Sequence, residues 1–166
     1  MNVFISYSVS DTQLVRTVAD HIKAKANVTY WDQSKEPGKE TWPTIFSWID
    51  AAELVLVLIT ENTLSRAFSV GQEVGHARKA NKPIIPLVAK GVKSSELGFL
   101  AGITYVQLDT RNPSAAIQAL QQQLDKLKQQ ALLRQQQLQA LKDQENRQGI
   151  AILALLALLL FFLSKE

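Results

Sequence analysis

The sequence contains no cysteine, so disulfide bonds, thiolate metal sites and a cysteine nucleophile are excluded. It also lacks the phosphate-binding patterns G-x-x-x-x-G-K-[ST] and G-x-G-x-x-G, which leaves an ATPase or a Rossmann dehydrogenase without support. The two histidines, His21 and His76, are more typical of a helix surface than of a ligand set. We therefore expect neither a metal nor a cofactor.

Excess charge is confined to the C-terminal third of the chain. The 166 residues carry a net charge of +3 and are 46% hydrophobic, which is typical of a globular protein. Residues 1–110 contain 11 basic and 11 acidic residues, whereas residues 111–166 contain 7 and 4. A balanced globular part argues against a nucleic-acid partner.

Apolar runs alternate with helical patterns over residues 1–110. The first run comes at the N-terminus, where we expect a strand and no signal peptide. The predicted strands are 3-VFI-5, 27-NVTYW-31, 54-LVLVLI-59, 84-IIPLV-88 and 103-ITYVQL-108. Continuous apolar strands joined by helices indicate a parallel sheet, so the pattern predicts a five-stranded, doubly wound α/β domain. The predicted helices include 12–25, with Asp11 as a plausible N-cap, and 42–52. Pro86 suggests a bulge or an early end of the fourth strand.

The composition changes near Pro113. Residues 111–148 are rich in Gln and carry apolar residues at heptad spacing, interrupted by Arg134: Ile117, Leu120, Leu124, Leu127, Ala131, Leu138 and Leu141. This pattern predicts a coiled coil, with a solvated spacer helix as the alternative.

An apolar segment follows at 149–164. Its 15 uncharged residues, 149–163, would cover roughly 22 Å of helix, close to spanning a bilayer if the flanking Lys165 reaches the interface. The segment predicts a membrane anchor; an oligomerisation helix or a helix that docks on the domain are alternatives. The first interpretation implies localisation at a cell membrane, with the domain in the cytoplasm.

A binding site is expected at the carboxyl ends of the strands. For a strand order 2-1-3-4-5, the crevice lies between strands 1 and 3. The helix 69-SVGQEVGHA-77 follows strand 3, and Glu73 lies at the edge of its apolar stripe, beside Val70 and Ala77. Such a carboxylate could hold ribose hydroxyls or stabilise an oxocarbenium-like centre. It could equally pair with His76 or Arg78 on the helix surface.

Several short motifs together resemble a Toll/interleukin receptor (TIR) domain of the bacterial type. In chain order they are 4-FISYS-8 with Asp11, 31-WD-32, 36-EPG-38 before Trp42, 48-WID-50, 54-LVLVLIT-60 with Leu64 and Ser65, 69-SVGQEVGHA-77, 82-KPIIPLV-88 and 98-GFLAGITYVQLD-109. The resemblance covers about residues 1–110 and implies a flavodoxin-like sheet with helices on both faces, followed here by a long C-terminal helix.

The resemblance also implies an activity. Many bacterial members of the family resemble enzymes that cleave the nicotinamide–ribose bond of NAD+, giving ADP-ribose or a cyclic isomer. The resemblance further implies that the protein is activated by self-association and has a role in antiphage defence. Glu73 matches the family's catalytic glutamate. The residues expected to border NAD+ are Ser6, Tyr7, Ser8, Asp32, Glu36, Gly38, Trp42, Phe68 and Ser69.

One position departs from the family pattern. Members often carry Trp four residues before the glutamate, where this chain has Ser69. The neighbouring Phe68 could supply the missing aromatic surface. If it does not, the domain could instead be a non-enzymatic adaptor that acts through association with other TIR domains.

Overall fold

A computed structural model describes residues 1–32, 41–65 and 67–163 of the chain. It forms two compact units, Met1–Leu124 and Asp125–Glu166. The strands and helices, in chain order, are β1 Asn2–Ser6, α1 Thr12–Ile22, β2 Asn27–Tyr30, α2 Thr41–Ala51, β3 Leu54–Ile59, α3 Glu61–Leu64, α4 Ala67–Lys79, β4 Ile84–Ala89, β5 Val106–Leu108 and α5 Ser114–Leu163. Three short 3-10 turns cover Val9–Asp11, Ser94–Glu96 and Gly98–Leu100.

The sheet is parallel throughout and has the order β2-β1-β3-β4-β5, which confirms the predicted fold and agrees with the strand order assumed for the crevice. All six residues of β3 are buried, as expected for a strand that has helices on both faces. Because the order reverses at β1, the carboxyl ends of β1 and β3 form the edge where a crevice can open.

Pro86 lies within β4 and does not interrupt it. It pairs with Val57 of β3 on one side, whereas β5 pairs only with Leu87–Ala89 on the other side. The missing N–H of proline is tolerated because β5 begins pairing one residue later. The expected early end of this strand is therefore wrong.

A hydrophobic core joins one face of the sheet to α2 and α4. Side chains alternate between the two faces of a strand, so Phe4, Val55 and Val57 point toward this core. Helices α2 and α4 contribute their apolar stripes, namely Ile45, Ile49, Val70, Val74 and Ala77. Helix α1 buries its own stripe of Val15, Val18 and Ile22.

Asp11 links two loops instead of capping α1. It occupies the N-cap position, but its side chain makes no capping hydrogen bond there. Its carboxylate accepts hydrogen bonds from Thr60 Oγ1 at 2.6 Å and from Asn62 Nδ2 at 2.8 Å. Thr60 is itself the N-cap of α3 and forms a capping box with Thr63. The loops after β1 and β3 are thereby fixed to each other.

The first turns of α5 belong to the first compact unit, which extends past residue 110 to Leu124. Ala116, Ile117, Leu120 and Leu124 are buried, and Gln121 Nε2 donates to the carbonyl of His21 at 2.9 Å. The early apolar positions of the heptad pattern are therefore used for packing within the chain. Farther along the helix, Leu138 and Leu141 are exposed.

The expected membrane anchor at 149–164, and the localisation derived from it, are wrong. Over the described stretches of the chain, no helix is both long enough and apolar enough to cross a bilayer. The apolar run covers roughly 22 Å, short of a hydrocarbon core of about 30 Å. Gln, Lys and Asp residues precede it on α5. Residue 164 lies outside the described residues.

Candidate functional site

A cavity of about 550 Å³ opens at the carboxyl end of β1, between α2 and α4. This is the edge at which the strand order reverses. The lining residues come from β1 and its loop, from the residue after β2, and from both helices: Phe4, Ile5, Tyr7, Val9, Trp31, Thr41, Trp42, Pro43, Ile45, Ser69, Val70 and Glu73. The volume is in the range of small-molecule sites, and the wall is largely apolar with few polar groups.

Glu73 is the acidic residue of this wall. It lies on α4 with Val70 and Ala77 on the same face, and only 7% of its surface is exposed. Burial raises the pKa of its carboxyl to about 7, whereas the nearby hydroxyl of Ser6 acts in the opposite direction. The carboxyl therefore titrates near neutral pH. The alternative interpretation, a surface ion pair with His76 or Arg78, is not what the structure shows.

Ser6 and Ser8 are buried and do not line the cavity. Their side chains are 1% and 2% exposed. Within the described part of the chain, neither Oγ has a hydrogen-bond partner of standard geometry. Buried hydroxyls without a partner are uncommon and call for an explanation.

Tyr7 joins the loop after β1 to the end of β2. It lines the cavity, and its hydroxyl donates to the carbonyl oxygen of Trp31. Its ring meets Tyr30 edge-on, with the centroids 6.0 Å apart. Burial raises the pKa of the Tyr7 phenol, which is therefore neutral at physiological pH. Trp31 is itself a lining residue, so this bond fixes one wall of the cavity.

Asp32 is buried but does not line this cavity. Its Oδ2 lies 3.3 Å from Nη2 of Arg16, which ties α1 to the residue that follows Trp31. The Asp32 carboxylate therefore helps to hold α1 against the end of β2. Its contact with substrate stays a prediction.

Trp42 forms the opposite wall, in the first turn of α2. Its ring packs on Phe46 with the centroids 5.6 Å apart, and Phe46 stacks on His76 of α4 at 4.4 Å and 9°. These aromatic contacts connect the cavity residue Trp42 on α2 to α4.

Phe68 and Ser69 are neighbours in the first turn of α4, but only one of them faces the cavity. Ser69 lines the cavity, but Phe68 does not and is 80% exposed. Phe68 lies two residues before the buried Val70, which places it on the opposite side of the helix. Glu36 and Gly38 lie outside the described residues.

The glycines of α4 have free space beside them. A Cβ added at Gly71 or Gly75 would meet no described atom within 4 Å. Packing of a neighbouring strand against the helix backbone therefore does not explain them. Val9, Thr41 and Pro43 line the cavity although no motif in the sequence indicated them. Their position next to β1 and Trp42 was the available signal.

The part of the chain that matches a known protein family coincides with the first compact unit. A family model described as TIR domain matches residues 3–124, which ends where the first compact unit ends. No curated protein matches the sequence.

Solved structures of other TIR domains have a similar fold. The TIR domains of the activated Roq1 resistosome, which recognises the pathogen effector XopQ, are 15% identical; the match covers 74% of this chain and 98% of that one, with a TM-score of 0.61. A metazoan TIR-STING receptor from C. gigas, in complex with 2′,3′-cGAMP, is 26% identical over 70% of this chain, with a TM-score of 0.55. This chain corresponds to 38% of the length of that receptor. With the parallel sheet, the strand order and the family match all in agreement, the chain belongs to the TIR domain family.

Proposed function

We propose that the protein is an NAD+ nucleosidase, a glycohydrolase or cyclase that cleaves the nicotinamide–ribose bond. The single observation that carries the proposal is the position of Glu73, a buried carboxyl in the wall of a cavity at the switch point of the sheet. Its pKa of about 7 allows the group to be ionised at neutral to alkaline pH. Membership in the TIR family and the resemblance of Glu73 to the family's catalytic glutamate support the same assignment.

In the proposed mechanism, the nicotinamide riboside part of NAD+ enters the cavity. The Glu73 carboxylate accepts hydrogen bonds from the ribose 2′ and 3′ hydroxyls. Its negative charge is more favourable beside an oxocarbenium-like transition state than in the ground state, because the low-dielectric wall strengthens the interaction.

The leaving group needs no acid. The bond between C1′ and the pyridinium nitrogen breaks with both electrons on nitrogen, which converts the cationic ring into neutral nicotinamide. Water then adds to C1′ and loses a proton, which gives ADP-ribose. Attack by another nucleophile of the same molecule would give a cyclic product.

The aromatic walls would contact the nicotinamide. Trp42 and Trp31 both line the cavity, and their rings offer flat apolar surface. Ser69 lies at the position where family members often carry Trp, so one stacking surface is reduced. We therefore propose that turnover by an isolated domain is slow.

Self-association through α5 would raise the activity. Leu138 and Leu141 are 55% and 58% exposed and follow the heptad spacing of the predicted coiled coil. Gathering several domains on one assembly raises their effective concentration, which strengthens weak contacts between them. A role in bacterial antiphage defence, through loss of NAD+ or formation of a cyclic signal, is the context that the family resemblance suggests.

A non-enzymatic adaptor is the second candidate. Two observations favour it. Ser69 lines the cavity where family members often carry Trp, and the neighbouring Phe68 is 80% exposed, so it does not supply the missing aromatic ring. In this case the domain would act through association with other TIR domains, and Glu73 would be dispensable.

The test is incubation of purified full-length protein with NAD+, with nicotinamide and the ADP-ribose isomers separated by chromatography. We expect release of nicotinamide that is lost in Glu73→Ala and Glu73→Gln, while both variants remain folded by circular dichroism. Retention of full activity by a folded Glu73→Ala variant would contradict the proposal. No turnover by assembled wild-type protein would favour the adaptor.

A further inference from the structure

The end of β1 carries a second buried polar group on the face of the sheet that α4 covers. Ser6 is the last residue of β1 and pairs with Val57 of β3, while α4 packs its buried stripe over the same two strands. Ser6 is 1% exposed and Glu73 is 7% exposed. Residues two apart on a strand share a face, so Ser6 lies on the same side of the sheet as Phe4, which lines the same cavity as Glu73.

The hydroxyl of Ser6 is not used elsewhere. Among the described residues it has no hydrogen-bond partner of standard geometry, and it does not line the cavity. Burying a hydroxyl without a partner is unfavourable, so a group at this position is expected to serve a state in which it is bonded.

We propose that Ser6 is a positioning residue for Glu73: its hydroxyl donates to the Glu73 carboxylate and orients it at the cavity wall, and it does not contact the substrate. The inference rests on the proposed function only in naming Glu73 as the catalytic group. The opposing effects on the Glu73 pKa agree with it, because burial raises this pKa and the Ser6 hydroxyl lowers it.

Other titratable groups near Glu73 have different partners. Tyr7 lines the same cavity as a neutral phenol bonded to Trp31. Asp11 accepts from Thr60 and Asn62, and Asp32 is paired with Arg16. On the next turn of α4, His76 is bonded to Asp50 of α2. Burial, which raises the pKa of Glu73, and Ser6, which lowers it, are the influences on this carboxyl among the described residues.

Ser8 provides a matched control. It is 2% exposed, its hydroxyl also lacks a partner among the described residues, and it lies two residues farther along the same loop. It makes no contribution to the pKa of Glu73. Ser8→Ala therefore deletes the same atom from an equally buried site without removing the proposed donor.

The experiment is a pH titration of the full-length protein labelled with ¹³C at the glutamate carboxyls. The Glu73 resonance is identified as the one missing in Glu73→Gln. We expect Ser6→Ala to raise the Glu73 pKa by about 0.5–1 unit, the value of one hydrogen bond, and Ser8→Ala to leave it in place. Ser6→Cys keeps the shape with a weaker donor and should give a smaller rise. An unchanged Glu73 pKa in both Ser6 variants overturns the proposal.

The pH dependence of NAD+ cleavage gives a second readout. Ser6→Ala should move the rising limb of the rate profile to higher pH by the same amount, whereas a purely structural defect lowers the rate equally at every pH. If the protein does not cleave NAD+, the carboxyl titration still tests the action of Ser6 on Glu73. Failure of the proposed function and failure of this inference are thus distinguishable.

Discussion

Asp11 Oδ2 accepts a hydrogen bond of 2.6 Å from Thr60 Oγ1, which joins the loop after β1 to the N-cap of α3. The other carboxylate oxygen of Asp11 accepts from Asn62. Since α3 leads into α4, this contact fixes the start of the helix that carries Glu73. It is a buried contact between loops at the edge where the cavity lies.

Asp11→Ala should therefore destabilise the domain. It leaves buried donors without an acceptor, which costs about 2–4 kcal/mol for bonds to a charged group. Asp11→Asn keeps the shape and one acceptor, so its loss should be about half as large. Urea unfolding followed by circular dichroism measures both. Asp20→Ala, on the exposed side of α1, is the surface control, with an expected change within about 0.5 kcal/mol. Equal stability of Asp11→Ala and wild type would refute this role.

Glu73 should make the stability of the protein depend on pH. Its pKa is about 7 in the folded chain and 4.5 as the reference for an unfolded chain, so the folded state holds the proton more tightly. Stability is then greatest below pH 4.5, falls as the pH rises through about 7, and is constant above that. At about 1.36 kcal/mol per pKa unit, the full effect is about 3 kcal/mol.

The Glu73→Gln variant removes this dependence. At pH 8 we expect it to be more stable than wild type by up to about 3 kcal/mol, with a much smaller difference near pH 4.5. Chemical unfolding at both pH values gives the comparison, and taking the difference between the two proteins cancels the other titrating groups. A constant difference at both pH values would mean that the carboxyl is not desolvated. A carboxyl that weakens the fold at neutral pH is easier to understand if it serves function.

His76 holds α4 against α2. Its Nε2 lies 2.8 Å from Asp50 Oδ1, and its ring stacks on Phe46. His76→Ala should cost about 1–2 kcal/mol, mainly through the lost stack, because the contact with Asp50 is partly exposed to solvent. Asp50→Asn removes the charge and keeps the stack, so it should cost less than about 1 kcal/mol. Thermal unfolding measures both. A larger loss for Asp50→Asn than for His76→Ala would reverse the assignment.

The exposed leucines of α5 allow a matched test of self-association. Leu138 and Leu141 follow the heptad seam, whereas Leu132 and Leu133 lie off it with the same exposures of 55% and 58%. We expect Leu138→Gln with Leu141→Gln to abolish concentration-dependent assembly in sedimentation velocity. Leu132→Gln with Leu133→Gln should leave it intact. The same behaviour of the two double variants would argue against a coiled coil on this seam.

The sequence predicted the parallel sheet because its signals are local. Continuous apolar runs, separated by helical patterns, allow few other topologies. The strand order 2-1-3-4-5 was an assumption about this fold, and the structure has that order. The spacing of Glu73 to Val70 and Ala77 predicted its place at the edge of the apolar stripe but left open whether it is buried or paired at the surface. Both inferences depend on residues within one segment.

The parts that could not be predicted depend on contacts between distant segments. Asp11 had the sequence position of an N-cap, but its partners Thr60 and Asn62 are about fifty residues away. Heptad spacing does not distinguish a helix that packs within its own chain from one that pairs with another chain. Ile117 and Leu124 therefore fit the predicted coiled coil, although the structure buries both in the first compact unit. The orientation of Phe68 away from the cavity depends on where α4 begins.

The glycines of α4 lead to the last prediction. Gly71 and Gly75 lie within the helix, and an added Cβ would meet no described atom at either position. Replacement by Ala should therefore stabilise the protein by about 0.5–1 kcal/mol at each site, because Ala restricts the unfolded chain and favours the helix.

Gly102 is the control for this argument. Its surroundings are equally open, but its φ is +80°, a conformation that Ala adopts only with strain. Gly102→Ala should lower the free energy of unfolding by about 1 kcal/mol or more, whereas Ala at Gly71 and Gly75 should raise it, although a Cβ would fit at all three positions. Chemical unfolding of the three variants compares them directly. If Gly71→Ala destabilises the protein while Gly75→Ala stabilises it, then other residues pack against the face of α4 at Gly71. Measuring NAD+ binding by Gly71→Ala would then show whether the added methyl group changes the cavity.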